Sequence, residues 1–260
     1  PEASAWAVLA LRSSGTHRDA AERACNQLAR FQQAEGSVSA VEGNSDAVWC
    51  TPLCILAWKS FPGYDQPVKT GINFLLSMQG RHKTKRPDSP GGHDPSIVGW
   101  PWIKQTHSWI EPTSLAMLAL KSNGQADHPR TREAARMLMD RQLPTGGWNY
   151  GNTTVFDKEL LPTPVNTGQA LAALGGMVAE AAVNRSLQYL VDSVNKVRTP
   201  MSLAWMLQGL NRWSMLPPEW KSFVSDSLDL QNRYGPYNTV LLAQLVTVYF
   251  TEAKLDQIVV

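Results

Sequence analysis

Thr113-Ser114-Leu115-Ala116-Met117-Leu118-Ala119-Leu120 opens on two hydroxyl residues and continues without a charge. Ala, Leu and Met are strong helix formers. A helix that is apolar nearly all round has to be buried nearly all round. The same kind of stretch recurs along the chain. It is found as Ser4-Ala5-Trp6-Ala7-Val8-Leu9-Ala10-Leu11, as Thr51-Pro52-Leu53-Cys54-Ile55-Leu56-Ala57-Trp58 and as Thr167-Gly168-Gln169-Ala170-Leu171-Ala172-Ala173-Leu174. Weaker copies start near Ser202 and Thr239. Between the copies lie more polar segments with one apolar stripe: 19–33, 66–79, 131–142, 180–195 and 219–230. Buried and amphipathic helices therefore alternate, which is the pattern of a helical repeat.

Two concentric rings of helices satisfy this alternation, with the apolar helices inside and the amphipathic ones covering them. An open solenoid needs polar capping repeats at its ends. Here the first and last helices are among the more apolar, so the ring is expected to close. The fold class is therefore all-α, an α/α toroid of about six helix pairs. A single domain is expected over 1–260, lacking one N-terminal helix of a twelve-helix ring. Its central cavity is expected to be apolar and aromatic and to open where the inner helices begin.

The 24 basic and 22 acidic residues leave a net charge of +2. That balance gives no reason to expect a nucleic-acid partner. Three cysteines, Cys25, Cys50 and Cys54, make no disulfide framework and suit a reducing compartment. No apolar run reaches the length of about 18–20 residues needed to span a bilayer. The expected location is the cytoplasm, with transient contact at a membrane surface. There is no Gly-rich phosphate loop and no His-Glu-x-x-His.

Two connections are long: 80–105, which carries Arg81-His82-Lys83-Thr84-Lys85-Arg86-Pro87, and 144–163. The basic run reads as a solvated surface loop, although loops this long inside a compact fold are often functional. Of ten tryptophans, several stand beside Gly and Pro in such loops. Trp49, Trp100, Trp102, Trp109, Trp148 and Tyr150, with Asp46, are the candidate ligand-binding residues. Aromatic faces there could stabilise a cation or simply pack.

After several amphipathic helices the chain reads Gln, three residues, Gly, one residue and a bulky side chain. Gln142-Leu143-Pro144-Thr145-Gly146-Gly147-Trp148 is complete; Gln231 to Tyr237 and Gln32 to Val38 carry Tyr and Val in place of Trp. This resembles the Gln-x-x-x-Gly-x-Trp repeat of the squalene–hopene and oxidosqualene cyclases, whose toroid is similar to that of the protein prenyltransferases. The resemblance covers nearly the whole chain and implies an isoprenoid-like apolar ligand and no cofactor. In those cyclases a proton-donating Asp heads an inner helix. Asp-x-Asp-Asp is absent from this sequence, and Glu111, in Trp109-Ile110-Glu111-Pro112-Thr113, stands in the corresponding place. The resemblance thus implies Glu111 as a general acid, with His107 as a helper. From the residues alone, Glu111 is equally a helix N-cap, with Pro112 at the first helical position.

A zinc site like that of the prenyltransferases would draw on Asp46, Cys50 and His93 or His107, but the spacing is not that of a closed site, and no metal is expected. Two other functions stay open on the same toroid. One is a non-catalytic ligand-binding or interaction module. The other is a carbohydrate-processing enzyme, which needs a second carboxylate beside Glu111 from among Asp46, Asp157 and Glu159.

Overall fold

The computed structural model describes residues 1–86 and 92–255. Six apolar helices form the inner ring: α1 (Glu2–Ser14), α3 (Thr51–Lys59), α5 (Ile110–Ser122), α7 (Pro164–Leu174), α9 (Pro200–Arg212) and α12 (Thr239–Phe250). Each packs on the next, and α12 returns to pack on α1, so the ring closes. Outside it lie α2 (Arg18–Arg30), α4 (Asp65–Ser77), α6 (Pro129–Asp140), α8 (Asn184–Val194) and α10 (Trp220–Asp229), followed by the short α11 (Gln231–Tyr234). The six apolar stretches of the sequence are the inner helices, and the five amphipathic ones are the outer. The groove between α12 and α1 carries no outer helix among the described residues. Leu242, Tyr249 and Phe250 of α12 remain exposed.

Three of the five connections from outer to inner helices share one tie. In the third repeat the Trp148 N–H donates to Thr167 Oγ1 on α7 at 3.0 Å, and its indole N–H donates to Leu138 O on α6 at 2.7 Å. Gln142 and the Gly147 N–H both reach Ser186 Oγ, near the start of α8. Gly146 has φ +100°, and a Cβ there would strike the Arg185 backbone at 2.7 Å. In the first repeat Gln32 donates to Pro67 O, and Val38 N–H donates to Thr51 Oγ1. A hydroxyl at the head of each of these inner helices thus holds the bulky residue that precedes it. This gives the opening Thr of the repeated stretch a structural reason: its oxygen meets a backbone N–H that would otherwise be buried unpaired.

Trp100 belongs to the same series. Its N–H donates to Thr113 Oγ1 at 2.9 Å and its indole N–H to Leu75 O at 3.1 Å. An inserted loop separates it from Gln79, which is exposed. Arg130, at the start of the next outer helix, fills the gap. Its guanidinium stacks 4.0 Å from the Trp100 ring centroid and donates to Met78 O, Val98 O and Gly99 O.

α7 and α9 approach most closely. A Cβ on Gly168 would run into the Trp205 carbonyl, and one on Gly209 would stand 2.9 Å from Gly168 Cα. Absent side chains at both positions let the two backbones touch.

Two expectations are corrected. A two-stranded hairpin, Thr154–Val155 with Lys158–Glu159, forms in the second long loop, where no strand was expected. The helix carrying Glu111 starts earlier than expected, with Trp109 as its N-cap and Ile110 as its first residue. The Ile110 N–H is taken by Tyr150 O at 3.0 Å. Pro112, which needs no acceptor, falls within the first turn.

Candidate functional site

Glu111 is the second residue of α5 and sits at the mouth of the ring where the inner helices begin. Burial pushes its carboxyl up to about 7. The neighbouring Gln169 side chain of α7 opposes that shift, and Glu2 of α1 adds to it by repulsion. Helices α1 and α5 are separated in the ring by α3, so Glu2 and Glu111 meet across the mouth. Burial raises Glu2 as well. Gln169 is fully buried. Its carbonyl accepts from Asn166 Nδ2 at 3.2 Å, while its Nε2 closes no hydrogen bond. The mouth therefore holds two carboxyls that disfavour ionisation and one amide donor to spare.

Below the mouth the helix period sets which side chains face the lumen. Glu111, Ser114 and Leu118 share one face of α5; Gln169 and Ala172 share one of α7; Trp205, Gln208 and Arg212 share one of α9. Leu118, Ala172, Gln208 and Arg212, with Leu56 and Leu255, line a cavity of about 480 Å³. Four inner helices, α3, α5, α7 and α9, contribute to it together with the segment that follows α12, so it lies at the end where the inner helices finish. One turn nearer the helix starts, Trp6 and Trp205 meet edge to face with centroids 5.9 Å apart. Both are fully buried. The lumen is not uniformly apolar. Ser114 Oγ, Gln208 Oε1, Gln244 Oε1 and Thr247 Oγ1 are all buried on inner helices without partners.

This cavity lies at the opposite end of the inner helices from Glu111 and is walled by aliphatic and polar side chains. Trp6 and Trp205, which were not among the expected ligand-binding residues, are not part of its lining.

Those expected residues divide into groups. Trp100 and Trp148 are fully buried and serve as ties between helices. Trp49 and Trp102 are half-buried and pack edge to face at 5.1 Å. Tyr150 is 65% exposed, and Asp46 is exposed. Trp109 packs edge to face on His107 at 5.2 Å. His107 is directed towards Arg141 Nη1, 3.3 Å from its Nε2, and burial followed by the Arg141 charge lowers its pKa to about 4. No contact between His107 and Glu111 is formed. Cys50 is buried with its thiol towards Val38 O. Among the described residues, no group of His, Cys, Asp and Glu is arranged to hold a metal. Asp157 and Glu159 are exposed in the hairpin loop, where Glu159 accepts from Thr145. No described helix is long and apolar enough to cross a membrane.

Glu2, Gln169 and Gln208 were not picked out from the sequence. The two glutamines carry a usable signal, since each is a lone amide inside an otherwise apolar inner-helix stretch.

No protein-family model matches the sequence, and no curated protein matches it. Solved structures do. The ent-copalyl diphosphate synthase from Streptomyces platensis superposes with a TM-score of 0.62 at 18% identity, covering 96% of this chain and 50% of that one. The type II terpene cyclase MstE from Scytonema, in its apo form, superposes with a TM-score of 0.63 at 12% identity, covering 96% of this chain and 87% of that one. The chain spans about half the length of the synthase. Closed ring, inner and outer helices and these neighbours agree: the chain has an α/α toroid fold, similar to that of these two terpene cyclases.

Proposed function

We propose that the chain binds an isoprenoid-like apolar molecule in its lumen and that Glu111 serves as the proton donor to it. The observation that carries this reading is the Glu111 carboxyl, held by burial at about 7 at the head of an inner helix. A group with that pKa is substantially protonated at neutral pH, as a general acid has to be. It is also a weak acid. It suits an acceptor more basic than an unactivated alkene, such as the oxygen of an epoxide, alcohol or carbonyl on an isoprenoid chain. The Gln169 amide supports the carboxylate left after proton transfer. The indole faces of Trp6 and Trp205 supply cation stabilisation of about 0.5–2 kcal/mol each. His107 has no part in this step, being turned towards Arg141. The exposed Leu242, Tyr249 and Phe250 would give the ring a face for transient membrane contact.

A second reading rests on the buried Trp6–Trp205 pair, which joins α1 to α9 on the inner side of α12. A ligand in the cavity reaches Glu111 only when the indoles move aside. If they do not, the protein is a binding module without chemistry. Incubation with a panel of linear isoprenoids and their epoxides, followed by mass spectrometry, separates the two. New product from the wild type and none from Glu111→Gln supports the acid. Equal binding by both proteins with no product in any arm leaves the binding module.

A further inference from the structure

The basic run 81–86 and the second long loop have no part in the chemistry proposed for Glu111, yet they meet around a buried arginine. Arg141 follows α6 directly and is 1% exposed. Its Nη1 donates to Gly151 O at 2.6 Å. Its Nε stands 3.5 Å from Asp140 Oδ2 without closing a hydrogen bond, and its Nη2 has no partner. Three more polar atoms nearby are unpartnered: His93 Nδ1, Asn149 Nδ2 and Thr153 Oγ1. Each belongs to a side chain only 6% exposed.

Contacts gather these groups. The His93 and His107 rings lie 5.5 Å apart, and His107 meets Arg141. A Cβ on Gly92 would stand 2.6 Å from Thr153 Oγ1, which sets that hydroxyl against the backbone next to His93. Asn149 Oδ1 accepts from the Gly151 and Asn152 N–H groups, so its Nδ2 is the end left over. Arg141 and Asn149 can only donate at these positions, while the hydroxyl and the neutral imidazole are free to donate. Buried donors without an acceptor are costly, and several in one place call for an acceptor.

The local charges are mixed: Lys83 acts electrostatically on His107 and Lys85 on His93, while Asp94 acts on His93, and Asp140 and Asp94 act on Arg141. The nearby carboxylates have hydrogen-bond donors of their own. Asp140 accepts the Asp94 N–H, Asp94 accepts from Ser96, and Glu133 accepts from Arg136.

We propose that Arg141 Nη2, Asn149 Nδ2 and Thr153 Oγ1, beneath the basic run 81–86, form a binding site for a phosphate-class oxyanion. A guanidinium and neutral N–H and O–H donors are the groups that recognise such an anion. None of these groups lines the cavity described above, and the site does not depend on the role of Glu111. Its anion is either free phosphate or the headgroup of a phosphorylated lipid.

Histidine NMR on the whole chain tests this. Titration with sodium phosphate moves the His93 and His107 resonances saturably, beyond sodium chloride at matched ionic strength. Asn149→Asp keeps the acceptor for Gly151 and Asn152 but replaces the donor with an anion. It weakens phosphate binding by about tenfold or more. Thr153→Val, which leaves the backbone bonds of the loop alone, is the second variant should the first perturb folding, and weakens binding in the same direction. Sedimentation with phosphatidylcholine vesicles, with and without phosphatidic acid, distinguishes the sources. Retention only with phosphatidic acid, lost in Asn149→Asp, assigns the lipid headgroup; saturable phosphate shifts without retention assign the free ion. A response no larger than the chloride and phosphatidylcholine controls, or one unchanged in both variants, means that water satisfies these groups and overturns the proposal.

Discussion

Trp6 and Trp205 touch edge to face, with planes at 79°, although their helices are not neighbours in the ring. α12 lies between α1 and α9, packing on both. The two indoles therefore meet on the inner side of α12, and in the proposed function their movement decides whether a ligand in the cavity reaches Glu111.

Truncating one indole should open that passage at a cost in stability. Trp205→Ala is expected to destabilise the fold by about 3–5 kcal/mol, the range for deleting a large buried aromatic side chain. The enlarged lumen should bind a small apolar probe more strongly than the wild type does. Urea unfolding measures the first effect, and fluorescence titration with an apolar dye the second.

The Glu111 carboxyl should leave a signature in stability against pH. Its folded pKa, about 7, lies above the ordinary 4.5. Between those values the folded protein holds a proton that the unfolded chain has lost, so this group's contribution to stability is present at low pH and falls as pH rises from about 4.5 to about 7. The full change is on the order of a few kcal/mol. Relative to Glu111→Gln, which has no such proton to lose, the wild type should therefore weaken across that window. Paired urea melts from about pH 4.5 to about pH 8 measure the difference.

Gly168→Ala should wedge α7 from α9. The added methyl meets the Trp205 carbonyl, which belongs to a helix backbone and cannot swing away. Overpacking of this kind costs about 1–3 kcal/mol and sometimes more. The loss should appear as a lower melting temperature, while Gly124→Ala at an open turn, with a positive φ of 72° but nothing within 4 Å of the new atom, should suffer only the backbone strain.

The hydroxyl ties should behave alike at each repeat. Thr167→Val keeps the shape but leaves the buried Trp148 N–H, now bonded at 3.0 Å, without its acceptor. Thr113→Val does the same to Trp100. Each is expected to cost about 1–3 kcal/mol, measured by chemical denaturation, and the two losses should be of similar size.

The ring was legible because its signal is repeated: six apolar stretches, five amphipathic ones, and no polar ends to cap a solenoid. Glu111 was legible because its neighbours, Trp109 to Thr113, head one of those stretches. Its surroundings were not, because Glu2 and Gln169 lie on other helices and come near it only when the ring closes. Loop tryptophans misled for a related reason. Trp100 and Trp148 stand in loop-like sequence, yet each loop folds its indole back under the preceding outer helix. The contact between Trp6 and Trp205 was not legible either, because side-chain packing inside a ring has no linear pattern in the chain.

The most direct test is to titrate Glu111 itself, observing the carboxyl carbon of carbon-13-labelled glutamate in the whole protein and assigning it by its loss in Glu111→Gln. The account predicts a midpoint near 7, well above that of the exposed glutamates, and a protonated group through most of the acidic range. A midpoint in the ordinary range near 4.5 would mean that water reaches the carboxyl freely. Glu111 would then be an ionised residue at the end of a helix, and the proposed proton donor would be gone.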